Sequence, residues 1–161
     1  MAEYIISDKD NLEKIWDMNV SSNPGDERWV RWKDEYISYN IRGMAKTFVV
    51  IIGGEPVGEG TLIISPDCRA VGGNSLLADG KVVGNVNALR IIKKYEGQGH
   101  ISRLVRLIED HARKMGMTRL TIGVGADNER NVSIYRHWGY DRLIFSEVDE
   151  GELVEYYEKE L

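Results

Sequence analysis

The sequence is poor in the residues that build covalent or metal-stapled frameworks. A single cysteine, Cys68, leaves no partner for an internal disulfide. Three histidines lie far apart without metal-ligand spacing, so no metal site is expected. Only three prolines occur, which argues against a Pro-rich linker or extensive disorder. No run of about 18 apolar residues is present, and the start Met1-Ala2-Glu3-Tyr4 has no basic segment leading into an apolar one. A cytoplasmic protein without a membrane partner is expected. Positive charge is also short: 21 Lys and Arg face 26 Asp and Glu, a formal net charge of −5. That balance disfavours nonspecific binding to nucleic acid, which needs a basic face to displace counterions. It suits cationic small molecules, and equally a solvated acidic surface that aids solubility.

What remains is an ordinary globular composition. Of 161 residues, 42% are hydrophobic and 29% charged, which fits one compact domain over 1–161. Glu3 to Ile6 reads as a strand, and Ser7 or Asp8 caps a helix carrying Leu12, Ile15, Trp16 and Met18. Glu27 to Arg42 reads as a second helix with Trp29, Trp32, Tyr36 and Tyr39 in a stripe. Lys46 to Ile52 and Pro56 to Ile64 form a hairpin about Gly53-Gly54. Ser65 to Gly84 has little periodicity and reads as a loop before a strand from Val86 to Lys94. Beyond Gly97 and Gly99, Ile101, Leu104, Val105, Ile108, Ala112 and Met115 share one helical face. Arg103, Arg106, Glu109 and Arg113 are expected on the other. Thr118 to Val124 is a strand parallel to the one before the helix, Asn128 to His137 a short helix, and Arg142 to Val148 and Leu153 to Glu158 the last strands.

The turn Glu96-Gly97-Gln98-Gly99-His100 stands between strand and helix. Glycines there let a ligand approach the backbone, and the unpartnered amides and dipole of a helix start favour an anion such as a diphosphate. Lys93, Lys94, His100 and Arg103 add basic character. The same two glycines also serve a plain strand-to-helix turn. A dinucleotide fingerprint fails, because Ser102 stands where its third glycine belongs and Gly116 to Ala126 holds no carboxylate. The glycine-rich stretch Gly53 to Gly60 is followed by no Gly-Lys-Ser/Thr, so a nucleotide-triphosphate site is not supported.

With its preceding strand Ala88-Leu89-Arg90-Ile91-Ile92, the segment Tyr95 to Val105 resembles the coenzyme A motif of the GNAT superfamily of N-acetyltransferases. Downstream, Asn128 to Tyr140 is similar to the family's helix bearing Asn and Tyr, and Val154 to Leu161 to its last strand. The resemblance implies an α/β fold of α+β type. Its mixed, mostly antiparallel sheet has about six to seven strands, with one splayed parallel pair and about four flanking helices. It implies acetyl-CoA as cofactor, held by Leu89, Ile91, Ile92, Lys93, Glu96, Gly97, Gln98, Gly99, His100, Ile101, Ser102 and Arg103, with Asn128, Asn131 and Tyr135 beyond the next strand. The pantetheine arm is expected along Leu89 to Lys93 as an added strand. Two positions depart from the pattern: Glu96 stands where Arg or Gln is usual, and Ile101 where Gly or Ala is. A carboxylate at that place is tolerable if it points to solvent or pairs with Lys94 or Arg103.

The implied reaction is acetyl transfer to an amine of a small molecule or of a peptide or protein. Tyr135 is expected to protonate the leaving thiolate. Glu59 is the expected base, with Glu35 and Asn85 as alternatives. Trp29, Trp32 and Tyr36 are candidates for the acceptor pocket, where ring faces attract a cation, although an amphipathic helix also needs aromatic residues for packing. A homodimer is left open, as is a sensor or interaction module of the same fold that binds acyl-CoA without turning it over.

Overall fold

The computed structural model describes residues 1–161. Its elements run β1 (Ala2–Ile6), α1 (Lys9–Ser21), α2 (Glu27–Ile41), β2 (Ala45–Ile52), β3 (Glu55–Ile63), β4 (Val83–Ile91), α3 (His100–Lys114), β5 (Arg119–Gly125), α4 (Glu129–His137), β6 (Arg142–Asp149) and β7 (Glu152–Glu160). The helices begin where the sequence offers caps. The Asp8 carboxylate accepts the amide of Asn11 at 2.8 Å, and Asp26 that of Arg28 at 3.1 Å.

All the strands join one seven-stranded sheet in the order β1-β2-β3-β4-β5-β7-β6. Only β4 and β5 are parallel, joined by the crossover through α3. Alternation along the strands divides the core between the two faces. Phe48, Val50 and Leu62 pack with Leu104, Val105, Ile108 and Ala112 of α3. Val49 and Ile63 point the other way, onto Leu12, Ile15 and Trp16 of α1 and Tyr36 and Tyr39 of α2. The expected mixed sheet with one parallel pair and four helices is therefore the observed one.

Two expectations need correction. The fourth strand starts at Val83, not Val86, and ends at Ile91, not Lys94. Its early start comes from Asp79, whose Oδ1 accepts the amides of Lys81, Val82 and Val83 and squares the chain onto β5. Its early end comes from a 3₁₀ turn over Lys93–Tyr95, which leaves Lys93 exposed and outside the strand. Glu109, expected on the solvent face of α3, is 5% exposed. Its Oε2 accepts the Tyr140 hydroxyl at 2.8 Å and the Lys159 ammonium at 2.9 Å, a pairing that hydrophobic periodicity does not reveal.

Close packing under the sheet depends on small residues in β3. A Cβ at Gly60 would stand 2.8 Å from Leu89 Cδ2 and 3.1 Å from Ile108 Cδ1. Gly60→Ala is therefore expected to destabilise the fold by about 1–3 kcal/mol through overpacking. Chemical denaturation checks this, and a midpoint equal to the wild type would contradict the packing described.

Candidate active site

The site begins with a break in β4. On the β3 side the register runs Gly58↔Ile91 and Glu59↔Arg90, then resumes at Thr61↔Asn87. Gly60 thus faces the two residues Ala88 and Leu89, and Ala88 adopts φ 54°, a left-handed conformation unusual for a residue with a Cβ. The bulge bends β4 away from its parallel neighbour. Pairing with β5 covers Val83 to Val86 against Arg119 to Ile122 and goes no further, while β5 stays paired with β7 through Gly125.

The gap opens into a cavity of about 500 Å³. Its walls come from α2 (Arg31, Trp32, Glu35, Tyr36, Tyr39), β4 from Asn85 to Arg90, Ile122 and Gly123 of β5, and Tyr135 of α4. The loop residues Arg69 and Ala70, Asp149 and Glu150 at the β6–β7 turn, and Val154 and Tyr156 complete it.

Four phenols line this space, and their protons are committed differently. Tyr36 donates to Asn87 Oδ1 at 2.6 Å, Tyr39 to Glu35 Oε2 at 3.2 Å, and Tyr156 to Glu147 Oε1 at 3.1 Å. Tyr135 has no hydrogen-bond partner; its ring packs against Trp138 with centroids 5.6 Å apart. Burial pushes its phenol above the ordinary value, so it stays protonated at neutral pH.

The expected base lies elsewhere. Glu59 is 0% exposed and is not a cavity wall residue. Its Oε2 accepts Asn19 Nδ2 at 2.6 Å and lies 3.4 Å from Arg90 Nη1. Desolvation pushes its carboxyl up, opposed by Arg90 and Asn19. The Arg90 guanidinium lies over both Trp16 and Trp29, 5.2 and 4.9 Å from their centroids, and the two indoles also meet each other at 6.5 Å. Trp29 therefore meets Arg90 and lies outside the cavity wall, whereas Trp32 and Tyr36 form part of it. Both alternative bases, Glu35 and Asn85, line the cavity. Glu35 is held by Arg31 Nε at 3.4 Å and by Tyr39.

Past Ile91 and Ile92 the 3₁₀ turn leads into Gly97 and Gly99, at φ 74° and 85°, and α3 starts at His100. The amides from Gly97 through Ser102 donate to no backbone or side-chain acceptor in the chain; the first bond of the helix start is Arg103 N–H to Gly99 O at 3.1 Å. Gly97, Gln98 and Gly99 are exposed. Glu96 is exposed too and enters no ion pair, neither with Lys94 nor with Arg103. Ile101 is half-buried and packs against the core. His100 is buried, with Nδ1 2.6 Å from the Tyr4 hydroxyl, so it ties the helix start to β1. Arg103 lies over the Tyr4 ring at 5.1 Å. Asn128 caps α4 by accepting the amide of Asn131 at 3.1 Å. Periodicity and spacing did not point to Arg31, Arg69, Asp149 or Tyr156, which reach the cavity through tertiary packing alone.

A mixed sheet that parts at its single parallel pair, with a glycine turn and a free helix start beside the opening, is the architecture of the acetyltransferases. The model of the acetyltransferase (GNAT) family matches residues 11–140, and the chain belongs to that family. Solved structures of the same fold include an N-acetyltransferase from Staphylococcus aureus, with TM-score 0.70, 15% identity, and coverage of 99% of this chain and 98% of that one. The Vibrio cholerae spermidine N-acetyltransferase gives 0.70 and 16%, covering 98% and 94%. The PaiA N-acetyltransferase from Thermoplasma acidophilum, solved in complex with coenzyme A, gives 0.63 and 14%, covering 100% and 99%. No curated protein matches the sequence. No helix is long and apolar enough to cross a membrane.

With tyrosines labelled at Cζ, the Tyr135 resonance is expected to titrate above the ordinary phenol value of about 10. A midpoint at or below that value would contradict its burial.

Proposed function

We propose that this protein transfers the acetyl group of acetyl-CoA to an amine bound in the cavity between α2 and the parted strands. The observation that carries the reading is the opening of β4 from β5 directly upstream of a turn with free amides. The turn that follows β4 then supplies anion donors, and the cavity along β4 a walled acceptor space.

The residues present fit the cofactor. The amides of Gly97, Gln98, Gly99, His100, Ile101 and Ser102 would hold its diphosphate, helped by the dipole of α3 and by Lys93 and Arg103 nearby. Glu96 is compatible with that role because it lies in solvent. The unpaired edge of β4 around Leu89, Ile91 and Ile92 would carry the pantetheine arm as an added strand. Asn128 and Asn131 would face the cofactor from α4, their local bond leaving the Asn128 amide group free to donate.

Bound there, acetyl-CoA supplies an activated acyl carbon. Glu35 takes the proton of the incoming ammonium, directly or through water, because it is the carboxylate of α2 in the cavity wall. Glu59 instead balances Arg90 from beneath. As the new C–N bond forms and the C–S bond breaks, Tyr135 would give its proton to the sulfur and would recover one from the second N–H that the attacking nitrogen sheds, directly or through water. It is the one wall phenol whose proton has no other acceptor. Trp32 and Tyr36 flank the acceptor. A small molecule or a chain terminus both fit an opening of this size.

Thiol release from acetyl-CoA across tyramine, lysine and a short peptide with a free amino terminus tests the reading. Wild-type protein is expected to release thiol with at least one of them. Tyr135→Phe is expected to lower turnover on the order of 10²-fold while coenzyme A binds as before. Binding without any release would contradict the transferase reading and favour an acyl-CoA sensor.

A further inference from the structure

A chain of hydrogen bonds runs from beneath β5 to the cavity, and its direction is fixed by chemistry at its far end. Thr121 Oγ1 lies 2.8 Å from the Leu77 carbonyl and 3.2 Å from the Gly84 carbonyl. A carbonyl oxygen only accepts, so the single hydroxyl proton of Thr121 must go to one of them. Toward Asn85, 3.0 Å away, Thr121 Oγ1 can then only accept, and Asn85 must turn its NH₂ group to it. The Thr121 carbonyl, 3.4 Å from the same nitrogen, is a longer contact that agrees with this orientation without fixing it, so the hydroxyl decides it. Asn85 thereby turns its oxygen to Asn87, which must offer its own NH₂ at 3.0 Å. Asn87 in turn presents its oxygen to Tyr36, which must donate at 2.6 Å.

The consequence appears at the cavity wall. A phenol has one proton, and that of Tyr36 is directed inward, so its oxygen offers the cavity acceptor capacity only. Tyr36 is 6% exposed, and its hydroxyl is braced by a series of groups themselves buried or half-buried, with Asn85 1% and Thr121 0% exposed. We infer that Tyr36 is the acceptor for an N–H of the attacking amine, and that Asn87, Asn85 and Thr121 are positioning residues that deny it the donor role. Such an acceptor turns the nitrogen so that one N–H meets Tyr36 while its lone pair stays free for the acyl carbon. It favours primary amines, which keep an N–H for this bond through both proton losses, whereas a secondary amine has none left once the amide forms. The two tyrosines thereby play opposite parts, Tyr36 accepting a hydrogen bond and Tyr135 donating a proton.

Acetyl transfer to an amine is presupposed, and the experiment keeps the two apart. With the best amine of the panel, Tyr36→Phe is expected to raise KM about tenfold with kcat changed less than threefold and coenzyme A affinity unaltered. Thr121→Val, outside the cavity, is expected to raise the same KM at least threefold, and Thr121→Ser, which keeps the hydroxyl, to restore it. A merely structural role for Thr121 would not move amine KM selectively. Should Thr121→Val fail to fold, Asn87→Ala takes its place, since it frees the Tyr36 proton to turn outward; KM must rise. A wild-type KM in Tyr36→Phe overturns the inference while leaving the transferase intact. If wild-type protein acetylates no amine, the proposed function fails, and tyramine titrated into ¹⁵N-labelled protein decides for Tyr36. The Asn87 side-chain amide should shift, and should not in Tyr36→Phe; no shift in the wild type overturns the inference.

Discussion

The bulge opposite Gly60 is the constraint on which the rest of the site depends. A regular β4 would continue its ladder with β5 to the end of both strands and close the sheet. Ala88 in a left-handed conformation inserts one extra residue, and the strand bends before Leu89 and Arg90. Such a conformation costs free energy and persists only where packing fixes it. The fixing is visible on both sides. Leu89 fills the space over Gly60, and Ile91 that over Gly58, where a Cβ would come within 2.6 Å of Ile91 Cδ1. On the opposite face Arg90 is held by contact with two adjoining indoles and by Glu59, 3.4 Å away.

From that bend the polar design of the cavity follows. Buried polar groups are tolerated when each finds a partner, and here partners are used to assign proton positions as well as to offset desolvation. Three of the four wall phenols give their protons to the protein, and one does not. Glu35 is kept in place by Arg31 and Tyr39, while Glu59 and Glu109 are buried beside Arg90 and Lys159. Placement thus divides the carboxylates. Those at 0 and 5% exposure hold elements together, and the one on α2 lines the cavity.

Much of this was legible in the sequence, and the losses have identifiable causes. The helix cap at Asp8, the hairpin about Gly53-Gly54 and the amphipathic α3 are local signals, and each lies where local chemistry puts it. The free amides around Gly97 and Gly99 were readable because a glycine turn before a helix has few other geometries. The ends of β4 were not, because Asp79 sets the start through loop amides and a 3₁₀ turn sets the finish. Glu59 was legible as a strand carboxylate but not as a buried one, since Asn19 and Arg90 approach it from two other elements. Glu109 was misplaced for the same reason: its partners Tyr140 and Lys159 lie 31 and 50 residues away along the chain. The cavity residues Arg69, Asp149 and Tyr156 carry no local mark at all.

The central claim is that the amides left free by the turn grip the cofactor diphosphate and so aim its thioester along the bent strand. Amide hydrogen exchange with and without coenzyme A tests it most directly. Gly97 through Ser102 should exchange rapidly in the free protein and become protected on binding, together with Leu89 to Ile92. Saturating coenzyme A that leaves those amides as fast as before, while slowing others, would contradict the account.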